Sequence, residues 1–281
     1  MRIEKVLNNN VIVALDEHGA ETVLMGRGLG FGRHAGDQVP EDEAVEKRFT
    51  LHNEQLSDKF QQLMTSIPLP HFMMSERIIN HAKIALGKEL SDSIYVTLPD
   101  HISAAILRYQ EGITLSNPLL WDIRQFYPDE YAVGHKANEI VFEETGVHFT
   151  EDEAGFIAMH FVNAQVGGEI RDVYDMTYLM QEVFRIVQEE FGIAPDQDSL
   201  DYYRFVTHLK FFARRIVSGQ RYGDDEADLL EVVRFKYPRS FACAQKVCEY
   251  VEREKGFQSG QNELLYLTIH IARITGKGDD D

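Results

Sequence analysis

Apolar positions follow two rhythms along this chain, and the change falls near residue 54. Before it, Ile3, Val6 and Leu7 are spaced by charged residues, Asn8 to Asn10 interrupt, and residues 11–15 run apolar. That pattern predicts strand, Asn-rich turn, strand. Residues 17–20 read as the next turn, 21–25 as a third strand and 45–51 as a fourth. Between the last two lies a segment, 26–36, with five glycines in eleven residues, which favours backbone shapes that a Cβ resists. From residue 54 the spacing becomes helical. Leu56, Phe60, Leu63, Met64 and Ile67 share one face of a helix that should stop before Pro68. Nearly everything beyond is helical in pattern, with breaks expected at points such as Gly87, Pro99, Gly112, Gly146 and Gly256. Gly167-Gly168 marks the best division within the helical part, and residues 279–281 read as a solvated tail.

The expected fold class is multidomain: a small antiparallel all-β N-terminal domain followed by two duplicated all-α helical-bundle domains. The boundaries read as 1–56 for the sheet, 57–64 for a linking helix start, 65–170 for the first bundle and 171–281 for the second. A sheet of this size buries little core by itself, so it is expected to dimerise.

The duplication is legible residue by residue. Tyr127-Pro128 opens a stretch that His160 closes, and Tyr237-Pro238 opens one that His270 closes, at a shift of 110 without a gap. Ten of the 34 aligned positions are identical, including Lys136/Lys246, Gly146/Gly256, Glu153/Glu263 and His160/His270. A fixed long period is the mark of a repeated module. Upstream, His101 and His208 each precede an arginine by seven, Arg108 and Arg215, which is two turns along one helix face. Each copy therefore carries two histidines on otherwise apolar helices.

Composition narrows the function. The formal net charge of −18 argues against a chain that grips nucleic acid along its whole surface, but it permits a small nucleic-acid module joined to acidic regulatory domains. No apolar run approaches the ~20 residues of a membrane span, and the start Met-Arg-Ile-Glu-Lys lacks a signal-peptide core, so no membrane insertion and a cytoplasmic location are expected. Two cysteines, Cys243 and Cys248, read as reduced thiols; a metal site would need more ligands, and no cofactor or metal is expected.

Three readings of the glycine segment stand side by side. Its spacing superficially matches a phosphate-binding loop, but it neither opens a helix nor sits in a βαβ unit. It can be a hairpin loop that needs glycine for geometry. It can also be an RNA surface, with Arg27 and Arg33 as planar donors, Lys5 as a point charge, Phe31 as a stacking ring and Asn8 to Asn10 as amides. Residues 1–56 hold six Lys or Arg against ten Asp or Glu, so RNA contact would have to be concentrated on one face.

A histidine on a helix can be a core residue, a metal ligand, a general base or a phosphoryl acceptor. His-Glu-x-x-His and Glu-x-x-His patterns are absent at all four positions, and no serine sits in a Gly-x-Ser-x-Gly elbow. A phosphoryl acceptor needs only an imidazole lone pair in reach of a donor and cations to receive the charge, a role open to Arg108 and Arg215. Thr150-x-x-Glu153 fits a capping box at the start of the helix carrying His160, which is the preferred reading of Glu153.

The opening Ile3-Glu-Lys-Val-Leu-Asn-Asn-Asn-Val11, the run Val23-Leu-Met-Gly-Arg-Gly-Leu-Gly-Phe31, and the pairs Asp100-His101, Met159-His160, Thr207-His208 and Ile269-His270 closely resemble the BglG/SacY family of bacterial transcriptional antiterminators. The resemblance covers essentially the whole chain. It implies an RNA-binding co-antiterminator domain and two phosphotransferase-system regulation domains (PRDs), and no enzyme activity. It implies a homodimer that holds an imperfect leader-mRNA hairpin, prevents the overlapping terminator and switches on sugar-uptake genes. By position, Lys5, Asn10, Gly26, Arg27, Gly28 and Phe31 match the family's RNA-facing surface. His101, His160, His208 and His270 match its phosphorylation sites. The EIIB domain of a sugar permease would act on the first PRD, chiefly His101, and phosphorylated HPr on the second. After Phe31 this chain has Gly32-Arg33-His34, where the family often has two basic residues. A DNA-binding activator with the same regulatory domains is the alternative; it would need a helix-turn-helix, and residues 1–55 read as strands. An enzyme using the histidines is the third possibility, without a nucleophile or metal set to support it.

Overall fold

The computed structural model describes residues 1–15, 21–39, 45–49, 54–167, 169–193, 196–219 and 227–276. The turn expected at 17–20, the last two residues of the expected fourth strand, Gly168 of the expected division and the tail at 279–281 lie outside the described residues. Two compact units divide the chain, Met1–Gly168 and Glu169–Asp281.

The first unit opens with a four-stranded antiparallel sheet: β1 (Arg2–Asn8), β2 (Val11–Leu15), β3 (Glu21–Met25) and β4 (Lys47–Phe49), in that spatial order. Asn9-Asn10 closes the first hairpin, with irregular register between Ile3 and Lys5 and between Val6 and Asn8. Among the described residues the fourth strand pairs with β3 from Lys47 to Phe49.

The central strand explains its own sequence. Val11 to Ala14 are all at most 1% exposed, so both faces of the sheet are covered and β2 has no need to alternate. One face places Val11, Val13, Val23 and Met25 against Phe60, Leu63 and Met64 of α1 (Glu54–Ser66) and Phe72 of α2 (Leu69–Leu86). The other packs Ile3, Ile12, Ala14 and Leu24 against Leu29 of the glycine segment, with Val6, Val39 and Val45 around them. The chain itself therefore closes the core of this small sheet.

The rest of the first unit comprises α3 (Ile94–Gln110), α4 (Leu120–Phe126), α5 (Pro128–Thr145) and α6 (Glu151–Val166). Pro99, expected as a break, lies inside α3. The helix runs on through it with Leu98, Ile102, Ala105 and Ile106 buried, so burial along α3 outweighs the one missing N–H. Ile78, Ile102, Ile106, Val133, Ile157 and Phe161 belong to the bundle core. An aromatic cluster joins sheet to bundle: Phe49 lies 5.4 Å from Phe60, 5.6 Å from Phe72 and 5.6 Å from Tyr95 of α3, centroid to centroid. Lys47 of β4 pairs with Glu76 of α2.

The second unit holds α7 (Ile170–Phe191), α8 (Leu200–Ser218), α9 (Ala227–Lys236), α10 (Pro238–Lys255) and α11 (Gln261–Ile274). Its last two helices repeat α5 and α6 at the sequence shift of 110. Both α5 and α10 start on proline at the first helical position after tyrosine, where no N–H is needed. Both end on glycine in the left-handed region, Gly146 (φ +73°) and Gly256 (φ +64°). A cation–ring contact recurs as well: Arg124 sits 5.0 Å over the Tyr131 ring, and Arg234 5.3 Å over Phe241. The fold class is the one expected, an N-terminal antiparallel sheet followed by duplicated helical bundles. No helix-turn-helix precedes α1 among the described residues.

Candidate functional site

Two kinds of site emerge, a loop on the sheet and a histidine pair in each bundle. The glycine segment folds back over the Asn turn. Gly26 N–H donates to the Asn10 carbonyl at 2.9 Å, Gly30 N–H to the Asn9 carbonyl at 2.9 Å, and Gly28 N–H to Asn10 Oδ1 at 2.9 Å. Asn10 N–H in turn donates to Asn8 Oδ1 at 2.8 Å, and Asn8 Nδ2 donates to the Met64 carbonyl of α1 at 2.7 Å. A continuous hydrogen-bonded path thus ties the loop to the first helix. Gly28 has φ +70°, which requires glycine, and a Cβ on Gly30 would overlap the Asn8 carbonyl oxygen.

Within this loop the side chains divide cleanly. Leu29 is buried at 1% exposure and plugs the sheet, while Phe31 stands 73% exposed. Arg27 and Lys5 are exposed and Gly26 is buried. An exposed ring flanked by an arginine, on a loop fixed at both ends, is suited to stacking on unpaired bases. Asn10 has its Oδ1 committed to the loop backbone, so only its Nδ2 remains to donate elsewhere.

In the first bundle, α3 and α6 bring His101 and His160 together, with ring centroids 4.8 Å apart and planes at 46°. Beside His101 lies Glu153, fully buried. Its carboxylate accepts from His101 Nε2 at 2.9 Å and from Arg108 Nη2 at 2.9 Å. The capping-box expectation for Glu153 is therefore wrong. Thr150 makes no side-chain cap, and its hydroxyl instead meets the Tyr109 phenol at 2.8 Å, whose oxygen also accepts Thr150 N–H at 3.0 Å. Tyr109 on the His101 helix holds the start of the His160 helix, which frees Glu153 to turn inward.

In the second bundle, α8 and α11 stack His208 on His270, centroids 4.7 Å apart at 25°. The equivalent carboxylate, Glu263, is held by both Arg215 Nε at 2.5 Å and Arg215 Nη2 at 2.7 Å. The two copies thus differ in one respect: Glu153 is shared between histidine and arginine, whereas Glu263 is gripped bidentately by arginine. Arg108 and Arg215, read in the sequence as cations that could receive incoming charge, are both ion-paired. Phe156 and Tyr266, at equivalent positions, flank the pairs at 6.2 Å from His101 and 5.7 Å from His208.

Electrostatics keep three of these rings uncharged at neutral pH. Burial, then the neighbouring His101, holds His160 well below the usual histidine range. Burial, then His270 and Arg215, lowers His208 to about 3. Burial, then Arg273, lowers His270. A neutral ring retains the lone pair that a phosphoryl acceptor needs. Tyr109 is the residue that sequence reasoning missed, and Glu153 is the one it read as a cap. Glu153 had left a signal, since it is repeated as Glu263 and sits seven before the histidine on the same helix face.

Comparison with known proteins agrees with this layout. Residues 1–58 match the CAT RNA binding domain, and residues 76–164 and 181–274 each match the PRD domain. The chain is 49% identical over 275 residues to the transcription antiterminator LicT of Bacillus subtilis strain 168, covering 98% of this chain and 99% of that one. It is 38% identical over 274 residues to the beta-glucoside operon antiterminator of Dickeya chrysanthemi, covering 98% and 96% respectively. The crystal structure of GlcT CAT-PRDI matches with a TM-score of 0.51 and 33% identity, covering 58% of this chain and 97% of that one. An RNA-binding sheet followed by two PRDs defines a transcription regulator rather than an enzyme. Within that class, this chain belongs to the BglG/LicT family of transcription antiterminators.

Proposed function

We propose that this chain is a cytoplasmic antiterminator that, as a homodimer, binds an imperfect hairpin in a leader mRNA and keeps the overlapping terminator from forming. Lys5, Asn10, Gly26, Arg27, Gly28 and Phe31 form its RNA site. Phe31 stacks on an unpaired base, Arg27 and Lys5 meet phosphates, and Asn10, Gly26 and Gly28 hold the loop in shape. His101 and His160 receive phosphoryl groups from the EIIB domain of a sugar permease, which turns the protein off. His208 and His270 receive them from HPr, which favours the active dimer. A phosphoryl group adds roughly −1.5 to −2 charge, enough to repack the helices that carry it.

The observation that carries this reading is the recurrence of one device, two apposed histidines beside a buried Glu–Arg pair, in both bundles. It is tested by incubating the full chain with phosphoenolpyruvate, enzyme I and HPr and mapping acid-labile phosphate in the wild type and in His101→Ala, His160→Ala, His208→Ala and His270→Ala. Label lost in the His208 or His270 variants is expected. Label retained in all four variants contradicts the assignment.

A further inference from the structure

Within each histidine pair the two rings present opposite nitrogens. Nε2 of His101 points inward onto Glu153. An ionised carboxylate only accepts, so Nε2 carries the proton and the lone pair lies on Nδ1. Among the described residues this Nδ1 makes no hydrogen bond and is not sealed in the interior. His208, its equivalent in the second copy, likewise turns Nε2 inward, where it is sealed without a partner. His160 and His270 do the reverse: in both, Nδ1 is the sealed nitrogen without a partner, and Nε2 is not sealed. The same inward and outward choice is made twice, by helices from different parts of the sequence.

We infer that the phosphoryl isomer is set by helix position: His101 and His208 are phosphorylated on Nδ1, and His160 and His270 on Nε2. This rests on the phosphorylation reading above and goes beyond it by naming the atoms. The step at His101 is a displacement at phosphorus. The Nδ1 lone pair attacks the phosphoryl group carried by the donor, a new N–P bond forms, and the donor's bond to phosphorus breaks with its electron pair returning to the donor. The Nε2–H stays on the ring, and the positive charge that develops there faces the Glu153 carboxylate. Glu153 is thus a positioning residue that fixes the tautomer and receives the ring charge. In the second copy Glu263 is occupied by Arg215, so His208 has its orientation from packing alone.

Two measurements on the full chain test this. The first is the tautomer of each ring in the unphosphorylated protein, from ¹⁵N–¹H correlation of labelled histidine. A protonated Nε2 on His101 is expected, and a protonated Nδ1 there overturns the proposal. The second labels the wild type and the four single His→Ala variants with phosphorylated HPr and, independently of any protein donor, with phosphoramidate, read by isomer-selective phosphohistidine antibodies. Nδ1-isomer signal should fall in the His101 and His208 variants, and Nε2-isomer signal in the His160 and His270 variants. The opposite pairing, or one isomer at all four sites, overturns it. If neither donor labels any of the four while HPr itself is phosphorylated, the phosphorylation reading fails and takes this inference with it. The wrong isomer at a labelled histidine refutes the inference alone.

Discussion

Replacing Glu153 by glutamine keeps the volume of the side chain and removes its charge. In the wild type the carboxylate, fully buried, accepts two charge-assisted hydrogen bonds of 2.9 Å, from His101 and Arg108. Glutamine offers one oxygen and an NH₂ group, so its oxygen can keep only one of the two donors, and its NH₂ suits His101 Nε2 only if that ring moves its proton to Nδ1. Losing a hydrogen bond to a charged group costs about 1.5–3 kcal/mol. Breaking a fully buried ion pair costs about 3–5 kcal/mol because the remaining charge is stranded. The Arg108 side chain is 26% exposed, so water offsets part of that penalty. The Glu153→Gln variant should therefore lose about 2–3 kcal/mol in the first unit. That corresponds to a melting transition lower by roughly 4–12 °C for a unit of this size. Urea unfolding followed by tryptophan fluorescence reports on it directly, because the chain's one tryptophan, Trp121, lies in that unit. In the same variant, phosphoryl transfer to His101 should slow at least tenfold, while transfer to the second bundle stays unchanged. A stability change under about 0.5 kcal/mol, the scale of an ordinary surface substitution, together with unaltered labelling of His101 would refute the reasoning.

Three further outcomes follow from the same geometry. Arg27→Ala and Phe31→Ala should each abolish binding to a selected RNA hairpin while leaving the melting temperature within a degree or two, since both side chains are exposed; unchanged affinity in both, in a filter-binding assay, contradicts the loop assignment. Gly30→Ala should destabilise the first unit by about 1–3 kcal/mol and weaken RNA binding, because its Cβ meets the Asn8 backbone oxygen; calorimetry and filter binding check both. Stability of the second unit should fall as pH drops below 6.5, because His208 is neutral in the fold down to about 3 while the unfolded chain takes up the proton earlier. The slope is up to about 1.4 kcal/mol per pH unit for one such histidine, and His208→Gln should flatten it in urea titrations between pH 6 and 4.

Much of this architecture is legible in the sequence because a duplication supplies its own control. Tyr127-Pro128 and Tyr237-Pro238 mark helix starts, Gly146 and Gly256 mark helix ends, and α5 and α10 match to the residue. The histidines stand out for the same reason. What stays hidden are contacts between residues far apart in sequence. Glu153 reaches His101 across 52 residues, and no local pattern distinguishes that from a cap. The Thr150 signature is real as a sequence pattern, but Tyr109, 41 residues away, takes the hydroxyl. The apolar run 11–14 also carries the information that both sheet faces are covered, yet not that α1 and Leu29 cover them. The unequal use of Glu153 and Glu263 is invisible in a sequence where both are simply glutamate.

The central claim is that a histidine-borne phosphoryl group governs RNA holding. The most direct test is single-round transcription from a template in which a hairpin selected from a randomised RNA pool overlaps a terminator. Readthrough would be measured with the chain unphosphorylated, phosphorylated by HPr, and phosphorylated by a permease EIIB domain, alongside Arg27→Ala. The account predicts readthrough that requires Arg27, rises with HPr phosphorylation and is suppressed by the EIIB domain only while His101 is present. Readthrough indifferent to phosphorylation, or equal in the Arg27 variant, would contradict it.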